Sequence, residues 1–330
     1  MRPATRLSLL SLVTTLLIAA LALVWTGGAA RAQQPAPPQA PAQQKPDDYR
    51  IRRDVNLVVL HATVLDERGR FVPDLKQEHF RVVEDKVEQK LSIFKREDIP
   101  VTVGLVIDNS GSMRDKRERV NAAALTFVRT SNRDDEVFVV NFNDDYYLDL
   151  DKDFTSDINE MKEALERIDS RGSTALYDAL IGSLDHLKKG HRDKKVLLVV
   201  SDGEDNASRK SLEVTVQEAQ KSDALIYAIG LLGQESKRAA KRARQALTAM
   251  AQATGGLAFF PEGTQDVETI CTQIAHDIRN QYTLAYYPTN TRRDGSFRSV
   301  QVEVAPPRGR GKLYVRTRTG YYAQRAASGN

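Results

Sequence analysis

The sequence predicts an α/β fold: a doubly wound, mostly parallel sheet inserted into a smaller, discontinuous β-sandwich-like domain. Three observations carry this expectation. From Val101 to Asn280, short apolar runs alternate with segments whose apolar residues recur at helical spacing. The flanking stretches, 49–97 and 281–322, are β-like, and each is too small to cover two sheet faces. Several apolar runs end abruptly in loops rich in Asp, Ser and Thr, as expected where the carboxyl ends of parallel strands collect on one edge.

Residues 1–32 read as a targeting segment. Arg2 and Arg6 precede an apolar run from Leu7 to Trp25, and Ala30-Arg31-Ala32 is a small-x-small cleavage site. Cleavage after Ala32 is expected. The run is long, so an uncleaved anchor is the alternative, and either route exports the remainder. Residues 33–48 are rich in Pro, Gln and Ala and form a disordered linker, having too little apolar bulk to bury. From Asp54 to Phe94 the pattern is β-like: a first run from Val55 to Val64, the turn Asp66-Glu67-Arg68-Gly69, and shorter runs at Phe80–Val83 and Leu91–Phe94.

Pro100 marks a junction into the α/β domain, 101–280. Its strands are expected at Val101–Ile107, Val137–Phe142, Lys195–Val200, Ala224–Ile229 and Leu257–Phe260. Val120, Ala124 and Phe127 share one helical face, as do Leu176, Leu180, Leu184 and Leu187, and Ala243, Leu247 and Met250. After Asn280 the chain turns β-like again at Tyr282–Tyr287, Arg298–Val304 and Leu313–Arg318, with Asp294-Gly295 as a hairpin signal. Neither flank suffices alone, and together they supply about seven strands, the size of a small sandwich. Residues 323–330 are expected to be a flexible tail.

Composition narrows the function classes. Lys and Arg number 48 against 44 Asp and Glu, a formal charge of +4. Removing Arg2, Arg6 and Arg31 leaves 45 against 44, or +1. That balance provides no field for nucleic acid or an anionic membrane. The basic run Lys237–Arg244 has helical spacing and reads as a solvated face. One cysteine, Cys271, excludes an intrachain disulfide and reads as a small core residue. His61 and His79 lack metal-ligand spacing and read as structural or surface residues.

The chemistry gathers at three loops. After Ile107, Asp108, Ser110 and Ser112 occupy alternate positions, and alternate residues of an extended segment point the same way. Thr174 follows Gly172-Ser173 at the start of the Leu176 helix. Asp202 follows the Lys195–Val200 strand. Singly, each has a plain reading as a cap or turn residue. Jointly, they place five hard oxygen groups on one edge, a candidate site for Mg²⁺ or a similar ion. Asp115 and Asp205 lie nearby and read as capping or orienting residues.

At these residues the chain resembles the von Willebrand factor type A domain, also found as the integrin inserted domain and Rossmann-like in its winding. Asp108-Asn109-Ser110-Gly111-Ser112, then Thr174, then Asp202 match all five positions of that family's metal-ion-dependent adhesion site. With Asp134-Asp135-Glu136-Val137, Thr254-Gly255-Gly256 and Tyr282–Tyr287, the whole is similar to a group of bacterial exported proteins carrying this domain. The resemblance implies that the serines and threonine ligate Mg²⁺ or Mn²⁺ and that the aspartates complete the shell, typically through water. It also implies a protein partner presenting Asp or Glu to the ion.

The first expectation is therefore an exported, periplasmic or extracellular metal-dependent protein-binding module, not an enzyme. It engages no nucleic acid and, once the leader is cleaved, no membrane stably. The alternatives are a Mg²⁺-dependent hydrolase at the same crevice and a structural envelope scaffold with a vestigial metal site. Against the hydrolase, no histidine lies in the three loops, and Gly-x-Ser-x-Gly, His-Glu-x-x-His and phosphate-cradling motifs are absent from the sequence.

Overall fold

The computed structural model describes residues 56–325, apart from 168, 234 and 235. The predicted leader and linker, 1–48, and the last residues of the tail lie outside the described residues. Among the described residues no helix is long and apolar enough to cross a membrane.

The chain opens with four strands: β1 (Val58–Leu65), β2 (Phe80–Glu84), β3 (Val87–Gln89) and β4 (Leu91–Lys95). β3 falls between the two short runs expected from the sequence, Phe80–Val83 and Leu91–Phe94, and forms a tight hairpin with β2. Asp85 and Lys86 sit there at φ 44° and 69°, both left-handed, which matches the twist of the two strands.

The α/β body follows. Its strands are β5 (Val101–Asp108), β6 (Glu136–Phe142), β7 (Tyr146–Leu148), β8 (Lys194–Ser201), β9 (Ala224–Gly230) and β10 (Ala258–Phe259). They lie in the order β10-β9-β8-β5-β6-β7, all parallel except β7, which runs back along β6. Six helices alternate with them: α1 (Arg117–Thr130), α2 (Ile158–Glu166), α3 (Leu176–Leu187), α4 (Leu212–Lys221), α5 (Lys237–Thr254) and α6 (Val267–Arg279). All eight residues of β5 are buried, because helices cover both faces of the sheet. Val103, Leu105 and Ile107 pack with Val120, Phe127, Met161 and Ile274 from α1, α2 and α6. Val106 and Phe138 pack with Leu180, Leu184, Leu247 and Met250 from α3 and α5. Gly104 is required on the second face: a Cβ there would stand 2.4 Å from the Phe138 ring and 2.5 Å from Leu197. Cys271 is buried in the first core, where burial pushes its thiol up to about 12, far from a reactive thiolate. The basic residues of α5 are exposed, and Arg242 pairs with Glu204.

The chain then adds β11 (Tyr282–Tyr286), β12 (Phe297–Val304), β13 (Tyr314–Arg316) and β14 (Gly320–Tyr322). The first three pair with strands from before the α/β body, and β14 pairs with β12. One antiparallel sheet runs β13-β1-β11-β4 and a second runs β14-β12-β2-β3. Leu60 lies opposite Leu284 in the first, and Val82 opposite Val302 in the second. Their shared core holds Leu60, Val64, Phe80, Tyr282, Leu284 and Val302. The Asp294-Gly295 turn differs from its sequence reading. β11 and β12 belong to different sheets, so the turn is part of a crossing between sheets, not a hairpin. Asp294 Oδ1 there accepts from the Ser296 amide and hydroxyl, a local turn that the hairpin signal does not distinguish.

Candidate metal centre

β5 and β8 are parallel neighbours with Ile107 opposite Val200, so their carboxyl ends deliver Asp108 and Ser201-Asp202 to one edge. Asp108 accepts twice. The Ser110 amide donates to Oδ1 at 2.8 Å, and Ser201 Oγ from the neighbouring strand donates to Oδ2 at 2.6 Å. A single 3-10 turn, Gly111–Met113, carries the loop onward. It sets the Ser110 and Ser112 hydroxyls 3.2 Å apart, and Ser112 Oγ donates to Asp202 Oδ1 at 2.8 Å. Hydrogen bonds thus join Asp108, Ser110, Ser112 and Asp202 into one cluster.

Thr174 arrives from the third loop through backbone contacts. The Gly111 amide donates to the Gly172 carbonyl at 3.1 Å, and the Arg171 amide to the Asn109 carbonyl at 2.9 Å. Gly172 has φ 75°, and a Cβ on it would overlap the Asp144 carboxylate, so only glycine fits this turn. On the other side, the Thr174 amide donates to Asn206 Oδ1 at 2.9 Å, and its carbonyl accepts from the Asn206 amide at 3.0 Å. Thr174 Oγ1 comes 3.7 Å from where a Cβ on Gly203 would lie, beside Asp202. Asp205 proves to be a helix anchor, accepting from the Tyr177 amide at 2.9 Å and from the Ser208 hydroxyl at 2.6 Å.

Asp108 and Asp202 are fully buried, Ser110 and Thr174 nearly so, while Ser112 is exposed. The cluster therefore opens to solvent on the Ser112 side. Burial drives the Asp108 carboxyl up to about 6; the hydrogen bonds from Ser201 and Ser110 oppose the shift, and the Asp202 charge adds to it. Two acids enclosed in this way call for a cation.

One cation is built in, and the sequence reading missed it. Lys116, just ahead of α1, is buried, and its Nζ donates to Asp202 Oδ2 and, at 3.4 Å, to the Leu231 carbonyl. Asp202 is thus shared, with Oδ1 toward Ser112 and Oδ2 toward Lys116. The available signal was a lysine eight positions after Asp108, at the end of the same loop. Asn141 also went unnoticed. It accepts from Asn109 Nδ2 at 2.6 Å and donates to Asp149 at 2.6 Å, tying the loop after β5 to β6.

The donor set is two carboxylates and three hydroxyls, all hard oxygen, which suits Mg²⁺ or Mn²⁺ rather than a thiophilic metal. Among the described residues no three His, Cys, Asp or Glu side chains are grouped as a metal site. Hydroxyls and water would complete any coordination here.

No curated protein matches the sequence. Among solved structures, the chain is similar to a von Willebrand factor type A protein from Catenulispora acidiphila: 12% identity, TM-score 0.49, covering 84% of this chain and 76% of that one. It is also similar to the vWF domain of the type V pili tip protein Mfa5 from Porphyromonas gingivalis: 14% identity, TM-score 0.46, covering 55% and 95%. A third is the PilB minor pilin from Streptococcus sanguinis, at 15% identity and TM-score 0.45, covering 56% of this chain. The chain spans 63% of that pilin's length. Residues 103–204, from β5 to the loop after β8, match the family model described as von Willebrand factor type A domain.

Proposed function

We propose that this chain is an exported protein-interaction module whose binding depends on a divalent cation. The observation that carries the reading is the hydrogen-bonded cluster of Asp108, Ser110, Ser112 and Asp202, closed behind and open at Ser112. Asp108, Ser110, Ser112, Thr174 and Asp202 would hold Mg²⁺ or Mn²⁺. When bound, the ion supplies an electrophilic position that an Asp or Glu carboxylate of a partner protein can complete.

The chain's own residues prepare that position. Asp108, held by Ser201 and the Ser110 amide, cannot swing, and it fixes the path of the serine loop. Ser110 and Ser112 offer neutral oxygens, which leave an ion's charge less compensated than carboxylates would. Thr174 approaches from across the crevice, pinned by Asn206 on one side and by the Gly111–Gly172 contact on the other. No histidine of the described residues is placed at this crevice, which counts against an enzymatic reading. His61, His186 and His191 lie on β1, on α3 and beside Glu136 at the start of β6, and His79 and His276 on the turn before β2 and on α6. Export rests on Arg2, Arg6, the apolar run and Ala30-Arg31-Ala32.

Calorimetric titration of wild type and Asp108→Ala with Mg²⁺ and Mn²⁺ tests the reading. Wild type should bind one ion, and the variant should bind none while still melting cooperatively. Pull-down from envelope extract with Mg²⁺ against chelator then tests the partner. Equal ion affinity in both proteins, or capture unchanged by chelator, refutes metal dependence.

A further inference from the structure

Asp202 faces two ways. Its Oδ1 accepts from Ser112 at 2.8 Å, toward the open side of the cluster, and its Oδ2 is held by the Lys116 ammonium from behind. Lys116 is itself nearly enclosed, its side chain 11% exposed, with the Leu231 carbonyl as its other partner. A buried ammonium is costly unless paired, and this one is paired with an acid of the candidate metal centre. Lys116 is therefore part of the charge of the site.

Counting charges gives the consequence. Asp108 and Asp202 bring two negative charges and Lys116 one positive, so the enclosed cluster carries a net charge of −1 with both acids ionised. A divalent cation among these groups brings the total to +1. Without the lysine the loaded cluster would be neutral and would gain little from an anionic ligand. With it, one carboxylate restores neutrality in a setting where water screens poorly.

We propose that Lys116 is a specificity-determining positioning residue: it weakens the hold of the cluster on its cation and thereby makes the loaded site select a monoanionic carboxylate ligand. The inference rests on the metal-dependent reading above and adds to it a residue outside the five ligand positions. Two opposed effects follow from one substitution. Removing the positive charge should tighten cation binding and loosen carboxylate binding, whereas a residue that merely props Asp202 in place would loosen both.

The test uses full-length protein with Mn²⁺ and acetate as probes. Mn²⁺ affinity is read by electron paramagnetic resonance of the free ion. Acetate binding to the loaded protein is read by water-proton relaxation, which falls as acetate displaces bound water. In K116M, Mn²⁺ should bind about tenfold tighter and acetate about tenfold weaker, the scale of one unit charge acting over several ångströms of protein. K116Q is the second neutral variant, should K116M fail to fold, and is expected to show the same split. K116R should return both constants toward wild type. Unchanged constants in a folded neutral variant, or weakening of both without rescue by arginine, overturns the proposal. Failure of wild type to bind Mn²⁺ at all overturns the metal-dependent reading itself, and so separates the two.

Discussion

Asp277 on α6 is the group whose loss should most clearly expose how the α/β body and the β sheets depend on each other. Its Oδ1 accepts from Thr63 Oγ1 of β1 at 2.9 Å. Its Oδ2 accepts from Tyr227 Oη of β9 at 2.8 Å and pairs with Arg316 of β13. Gln281 donates to both Thr63 and Tyr227, at 3.1 and 3.2 Å, closing the network. Asp277→Ala leaves the hydroxyls of Thr63 and Tyr227, 1% and 0% exposed, without an acceptor, and leaves Arg316 at 20% side-chain exposure without its carboxylate. Each orphaned buried donor costs roughly 1 kcal/mol at the low end of the usual range, since both hydroxyls still accept from Gln281. Loss of the partner of a partly enclosed guanidinium adds about 2 kcal/mol, discounted from the fully buried case because Arg316 keeps some water and the Gly255 carbonyl. The total is about 4 kcal/mol, or a fall in Tm of about 10 °C for a body of this size. Thermal and urea unfolding should show it. Asp277→Asn, which keeps an acceptor, should lose about half as much. In a double-mutant cycle with Arg316→Met, removal of both charges should recover about 2 kcal/mol, the two residues being in contact. A fall below 2 °C, or strictly additive losses, would refute the argument that this network stabilises the seam.

Three further outcomes are expected. Gly104→Ala should destabilise by about 2–3 kcal/mol, because its methyl would overlap Phe138 and Leu197 in a packed core; urea midpoints check this, and a neutral result refutes the clash. His61 is held at about 3 by burial and then by the charges of Lys194 and Arg318, whereas the unfolded chain binds that proton near the ordinary value. Stability should therefore fall as pH drops from about 6.5, by about 1–2 kcal/mol at pH 5, and His61→Gln should flatten that arm of the curve; parallel curves for the two proteins refute it. Finally, residues 101–280 expressed alone should fold, since both helical layers and the whole parallel sheet lie within them. Residues 49–97 should not, since β1 and β2 pair chiefly with β11 and β12; a cooperative melt of the short piece refutes the discontinuous arrangement.

The sequence alone determined the α/β alternation and where β5 and β8 end. Strands buried on both faces must be apolar throughout, and their abrupt ends are visible as such. It also marked Asp108, Ser110, Ser112, Thr174 and Asp202 as candidates: loops that follow parallel strands share one sheet edge, which accounts for all but Thr174, a residue between α2 and α3 that the Gly111–Gly172 backbone contact brings to the same edge. The tertiary structure alone decided which β segments meet. Pairing β1 with β11 across more than 200 residues leaves no local trace, and the Asp294-Gly295 turn looks the same whether it closes a hairpin or crosses between sheets. It alone also assigned Lys116 to Asp202. A lysine's long side chain reports its own position poorly, and only the packing of α1 beneath the loops after β8 and β9 turns that charge inward rather than to solvent.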